Sequence, residues 1–172
     1  GKTTTLASLI EVINQTRRVH IITLEDPIEY IFLPASAFIS QRELGRDFSS
    51  FPDAVRSALR EDPDILLAGE IRDRATMEAA LMAATTGILV LGTLHTRSAA
   101  QAAMRVESMF PADVRDAVRA QFADAVTGIF AQRLLPRVGG GRAGGAQYCA
   151  EWAVQPTFLC DDERRGAGDA DV

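Results

Sequence analysis

Apolar positions follow two different rhythms along this chain. Directly after Gly1-Lys2-Thr3-Thr4-Thr5, Leu6, Leu9, Ile10 and Ile13 recur at helical spacing. Polar residues 14–18 end that stretch. Residues 19–24, Val-His-Ile-Ile-Thr-Leu, then form a largely apolar run that predicts a buried strand, and the acidic cluster Glu25-Asp26-Pro27-Ile28-Glu29 follows at once. Pro27 disfavours a helix there and predicts an extended turn. Residues 31–48 show no period and read as irregular. Ser49 or Ser50 is placed to cap a helix reaching about residue 60, with Pro52 in its first turn.

The same alternation continues. Asp62-Pro63-Asp64 reads as a turn, and residues 65–69 as a second strand ending at Glu70. Residues 74–86 are predicted helical, with Gly87 placed to stop the helix. A third strand over 88–94 ends at His95. Ser98 can cap a helix to about residue 109, and Phe110-Pro111 breaks it. A last long helical region is predicted over 112–135. Strands that are largely apolar, alternating with helices, predict an α/β fold with a largely parallel sheet between helices. Such sheets bind ligands at the carboxyl ends of their strands. Here those ends carry Glu25, Asp26, Glu70 and His95.

Composition narrows the function. The 172 residues are 47% hydrophobic, enough for one domain with a core. A net charge of -5 argues against a nucleic-acid machine. No apolar run is long enough to span a membrane, and no signal-peptide pattern opens the chain, so a cytosolic setting is expected. Cys149 and Cys160 form neither a metal pattern nor a disulfide framework. Lys2 is the sole lysine among 18 basic residues.

Gly1-Lys2-Thr3 matches the end of the phosphate-binding loop G-x-x-x-x-G-K-[ST]. In that motif backbone amides and the lysine hold phosphates, and the hydroxyl ligates Mg²⁺. Gly1, Lys2, Thr3 and Thr4 are therefore candidate nucleotide contacts, with Thr3 the candidate Mg²⁺ ligand. The upstream half of the loop and its strand are not in the sequence, so the ATPase core is expected to be incomplete at its start. Glu70, at a strand end beside that loop, can orient the attacking water and hold Mg²⁺ through water. Glu25, within the acidic cluster, and His95, at the same sheet edge, complete the catalytic candidates. Arg60 and Arg72 are candidate phosphate contacts or arginine fingers.

These segments together resemble the ATPases of type II secretion and type IV pili. Residues 59–73, Leu-Arg-Glu-Asp-Pro-Asp-Ile-Leu-Leu-Ala-Gly-Glu-Ile-Arg-Asp, are similar to that family's atypical Walker B segment, in which glycine precedes the catalytic glutamate. Residues 23–29 resemble its aspartate box, residues 92–96 its histidine box, and Gly1–Thr5 the end of its Walker A motif. The resemblance covers residues 1 to about 142. Gln132-Arg133-Leu134-Leu135-Pro136 is followed by Gly139-Gly140-Gly141-Arg142 without paired C-x-x-C motifs, and 105–111 end in Phe-Pro. Both features resemble the retraction branch, which powers twitching motility.

The resemblance implies a RecA-like P-loop core, ATP with Mg²⁺, a homo-hexameric ring and a place at the cytoplasmic face of the inner membrane. There the ring acts on an inner-membrane pilus platform protein, with peripheral membrane association and no nucleic-acid partner. Pilus assembly or type II secretion is the alternative within the family; a non-catalytic relic of a damaged gene is the alternative outside it. Residues 143–172 depart from the family pattern. They are expected to be an atypical tail, through a frameshift near Arg142 or genuine divergence.

Overall fold

The computed structural model describes residues 1–96, 98–136 and 142–150. Its centre is a four-stranded sheet built from β1 (His20–Glu25), β2 (Phe38–Glu43), β3 (Ile65–Ala68) and β4 (Leu89–Gly92). The spatial order is β2-β1-β3-β4, and every pairing is parallel. Burial follows position. Every residue of β3 and all but the first of β1 are buried, whereas the edge strands β2 and β4 are only partly covered. Central parallel strands lie under helices on both faces, which is why their sequences are largely apolar, with Thr23 and Glu25 the buried polar exceptions.

Alternate residues of the central strands face opposite layers. Ile22, Leu24 and Leu66 pack against Ala54, Val55 and Ala58 of α2 (Phe51–Ala58) and Ala79 and Ala83 of α3 (Arg74–Thr85). Ile21 and Ile65 pack on the other face against Ile10 of α1 (Lys2–Thr16). A third cluster joins Ala68, Ile71 and Met77 to Val106 of α4 (Ala99–Ser108) and Val118 of α5 (Arg115–Ala125). The expected α/β architecture, a parallel sheet between helices, is therefore present.

Helix ends follow local chemistry. Asp73 caps α3 by accepting from the Thr76 amide at 2.9 Å, and Ser98 caps α4 by accepting from Gln101. Ser50 is the residue before α2, but its side chain makes no cap bond. Gly87 follows α3 with φ of 97°, a left-handed conformation that glycine adopts without steric cost.

Two expectations are corrected. The stretch 31–48 is not wholly irregular, because residues 38–43 form β2. Phe-Ile-Ser-Gln-Arg-Glu lacks an apolar run because an edge strand has one neighbour and one poorly covered face; its pairing with β1 defines it instead. The helix expected over 112–135 is a 3₁₀ turn at Ala112–Val114 and then α5, which ends at Ala125. Residues Gly128–Pro136 form β5, antiparallel to β6 (Arg142–Ala150). Gly128 weakens a helix by about 1 kcal/mol relative to alanine, and Val126, Ile129 and Phe130 favour extended backbone. Of the expected tail, residues 151–172 lie outside the described residues.

Strand β3 ends in a tight approach to β1. The Gly69 amide donates to the Leu24 carbonyl at 2.8 Å, and a Cβ on Gly69 would lie 2.9 Å from that oxygen and 3.4 Å from Glu25 Cα. Both neighbours are backbone, so neither can step aside as a side chain would. Gly69→Ala should therefore cost about 1–3 kcal/mol through forced backbone shifts. Chemical denaturation checks this; an unchanged midpoint would show that β1 and β3 part easily here.

Candidate functional site

The carboxyl ends of β1, β3 and β4 meet the start of α1. Gly1 precedes α1 and supplies no side-chain cap. The Thr5 amide is bonded to the Gly1 carbonyl, while the amides of Lys2, Thr3 and Thr4 precede the first such bond. With the helix dipole these amides form an anion-attracting end. Lys2 curls across this end. Its Nζ donates to the Leu94 carbonyl at 2.9 Å and lies 3.4 Å from His95 Nδ1.

A lysine ammonium can only donate, so His95 Nδ1 is the acceptor in this contact and Nε2 carries the proton. Nε2 lies 2.7 Å from Glu70 Oε1, and the Arg72 guanidinium bonds the same carboxylate. Lys2, His95, Glu70 and Arg72 thus form one continuous polar chain. The Glu70 side chain retains 16% exposure, against 71% for His95 and 66% for Arg72. Its hydrogen bond from Arg72 holds the Glu70 carboxyl below the ordinary glutamate range; partial burial opposes this, and the positive charge of Arg72 and the hydrogen bond from His95 add to the lowering.

Glu25 sits deeper, 6% exposed. Its Oε1 accepts from Thr23 Oγ1 at 2.7 Å and from Gln41 Nε2 at 3.3 Å. Glu25, Thr3, Gly69 and Thr93 line a small cleft that opens to solvent. Thr93 Oγ1 donates to the Gly69 carbonyl at 2.6 Å, tying the end of β4 to the residue before Glu70. Another acid of the cluster, Glu29, lies 3.5 Å from Thr3 Oγ1, and the Tyr30 hydroxyl lies 3.2 Å from Thr4 Oγ1.

The fold therefore gathers Gly1, Lys2, Thr3, Thr4, Glu25, Glu70, Arg72 and His95 at one sheet edge. It does not bring Arg60 there. Arg60 lies in the 3₁₀ turn Leu59–Glu61 before β3, at the amino ends of the strands, and is exposed. Glu29 joins the site as a member of the acidic cluster, whereas Gln41, in a stretch with no periodic signal, is a contributor that the sequence pattern does not reveal. Among the described residues, no group of three His, Cys, Asp or Glu side chains could hold a metal unaided. Mg²⁺ commonly relies on one or two protein oxygens together with waters and phosphates, and the hydroxyl and carboxylates around Thr3 are donors of that kind.

Residues 1–153 match the family described as Type II/IV secretion system protein. The chain belongs to this family. It is similar to the type IV pilus retractation ATPase PilT of Pseudomonas aeruginosa, with 48% identity over 142 residues, covering 83% of this chain and 41% of that protein. It is also similar to a twitching motility protein of Neisseria gonorrhoeae, with 48% identity over 135 residues, covering 78% of this chain and 36% of that protein. A crystal structure of the pilus retraction motor PilT with bound ADP superposes with a TM-score of 0.86 at 49% identity, covering 90% of this chain and 45% of that one. The sheet and its helices are thus the RecA-like core of this family. The chain spans less than half the length of these relatives.

The polar chain at Glu70 has a consequence for stability. A carboxyl whose folded pKa is depressed stabilises the fold above its ordinary value of 4.5, and that contribution is lost as pH falls through the folded pKa. Arg72→Leu should therefore destabilise the protein at neutral pH, and the gap to the parent should narrow as pH falls below 4.5. Denaturant titrations at several pH values read this; a gap independent of pH would contradict the pairing.

Proposed function

We propose that the protein containing this chain is an ATP-hydrolysing motor subunit that powers type IV pilus retraction. The observation that carries the reading is the Lys2–His95–Glu70–Arg72 chain at the uncapped start of α1. A lysine ammonium, a held carboxylate and the first amides of α1 lie together at the carboxyl ends of the strands, where sheets of this kind bind ligands, which supports the reading. The similarity to pilus-retraction and twitching-motility proteins supports the cellular role. On the same reading the protein works as a homo-hexamer at the cytoplasmic face of the inner membrane, on a pilus platform protein. No helix among the described residues is long and apolar enough to cross a membrane, which fits peripheral association.

The chemistry follows from the residues. The first amides of α1 and Lys2 bind the β- and γ-phosphates. To do so, Lys2 exchanges its bonds to Leu94 and His95 for phosphate oxygens, a trade of one charge-assisted bond for another. Thr3 would hold Mg²⁺ through its hydroxyl and Glu70 would hold it through water, and the ion would supply charge neutralisation on the phosphate oxygens. Glu70 also accepts a hydrogen bond from the attacking water and orients it. His95 Nε2, bonded to Glu70, fixes the direction of that carboxylate. Glu25 lines the same cleft as a second acid. Arg72 neutralises Glu70 within the chain, and Arg60 reaches a nucleotide only across a subunit boundary. Phosphoryl transfer depends chiefly on such positioning and charge.

In the full-length protein, Mg²⁺-dependent ATP hydrolysis should fall about 10²-fold or more on Glu70→Gln, with nucleotide binding retained. Lys2→Ala should instead weaken binding itself, by about tenfold or more. Turnover and calorimetric titration separate the two. An unchanged rate in Glu70→Gln would reject Glu70 as the catalytic carboxylate, and a protein that neither binds nor hydrolyses ATP would reject the motor reading.

A further inference from the structure

Half-buried beside the cleft is a carboxamide, that of Gln41, which the reaction described above does not use. Gln41 lies on β2 directly across from Thr23 on β1, so the two side chains share a face with Glu25, two residues further along. Gln41 Oε1 accepts from the Phe32 amide at 3.0 Å. A backbone amide can only donate, which fixes the orientation of the carboxamide. Its Nε2 is thereby turned to two acceptors: the Tyr30 carbonyl at 2.8 Å and Glu25 Oε1 at 3.3 Å.

Tyr30 and Phe32 are walls of the cleft that Glu25 and Thr3 also line, and the Tyr30 hydroxyl meets Thr4 on the first turn of α1. One side chain therefore ties the buried acid to the segment that closes over it, and through Tyr30 to the phosphate end of the helix. Bonds of this kind fix a functional carboxylate in one rotamer.

We propose that Gln41 is a positioning residue for ATP hydrolysis. With Thr23 it anchors Glu25 Oε1, leaving the other oxygen to the reaction, and it holds the Tyr30–Phe32 wall against Thr4. The proposal rests on the ATPase reading and on the part Glu25 plays in it. A residue that merely filled space behind the wall would be replaceable by any side chain of its shape.

The test uses the full-length protein. Gln41→Glu keeps the length, the shape and the acceptor for the Phe32 amide. It removes both donors and sets a second carboxylate against Glu25. The variant should lose about tenfold or more in kcat, while KM for ATP and the Kd of a non-hydrolysable analogue stay within about threefold. Its Tm should also fall, and adding Glu25→Gln should recover part of that loss, because an amide at position 25 can again donate to an acceptor at position 41 while the Tyr30 carbonyl stays without its donor. A parent that hydrolyses ATP beside a Gln41→Glu variant with kcat within about twofold would overturn the positioning role alone. A second substitution that recovers none of the lost Tm would overturn the Gln41–Glu25 bond. A parent that does not hydrolyse ATP would overturn the ATPase reading, and this proposal with it.

Discussion

Gly69 donates its amide to the Leu24 carbonyl at 2.8 Å, in a space where a Cβ would collide with that same oxygen. This contact extends the β1–β3 pairing one residue beyond the last paired rung, Leu24 with Ala68. It decides where the two acids that follow come to rest. Glu25 is the last residue of β1 and Glu70 is the first after Gly69, so both emerge at the same edge from adjacent strands. The Thr93 hydroxyl, bonded to the Gly69 carbonyl, brings β4 and hence His95 to the same place. Side-chain chemistry at this edge is thus set by backbone proximity within the sheet.

The two acids occupy different settings. Glu70 is linked to an arginine, a histidine and, through the histidine, a lysine, so its charge is compensated inside the chain. Glu25 is more buried and is held by neutral donors, Thr23 and Gln41. Charge compensation suits a group that faces a polyanion and its metal, since the cations around it can be redistributed when phosphate arrives. Neutral donors suit a group that must keep one orientation. The exposed Glu29, next to Thr3, is a third oxygen donor at the mouth of the cleft.

Much of this architecture was legible in the residues. The buried strands announce themselves because burial on both faces demands largely apolar runs, and the chemistry sits where those runs stop. Gly69 could be recognised beside Glu70, although the close approach that requires glycine could not. Strand β2 was hidden because an edge strand satisfies its backbone through one neighbour and leaves its side chains free to be polar. With β2 went Gln41, whose partners lie 9 to 16 residues away and carry no periodic signal. Strand β5 was hidden for a related reason. The pattern of 112–135 suits a helix until Gly128, and only pairing with β6 decides against continuing it. The bond from Lys2 to Leu94, across 92 residues, is likewise a product of the fold.

The central claim is that the nucleotide phosphates lie between the start of α1 and Glu70. A crystal structure of the full-length protein with Mg²⁺ and a non-hydrolysable ATP analogue tests it directly. The account predicts that Lys2 Nζ leaves the Leu94 carbonyl for the β- and γ-phosphates, that Thr3 Oγ1 joins the coordination of Mg²⁺, and that Glu70 faces a water in line with the γ-phosphate. Phosphates bound elsewhere, with Lys2 still on Leu94 and Glu70 turned from the nucleotide, would contradict it.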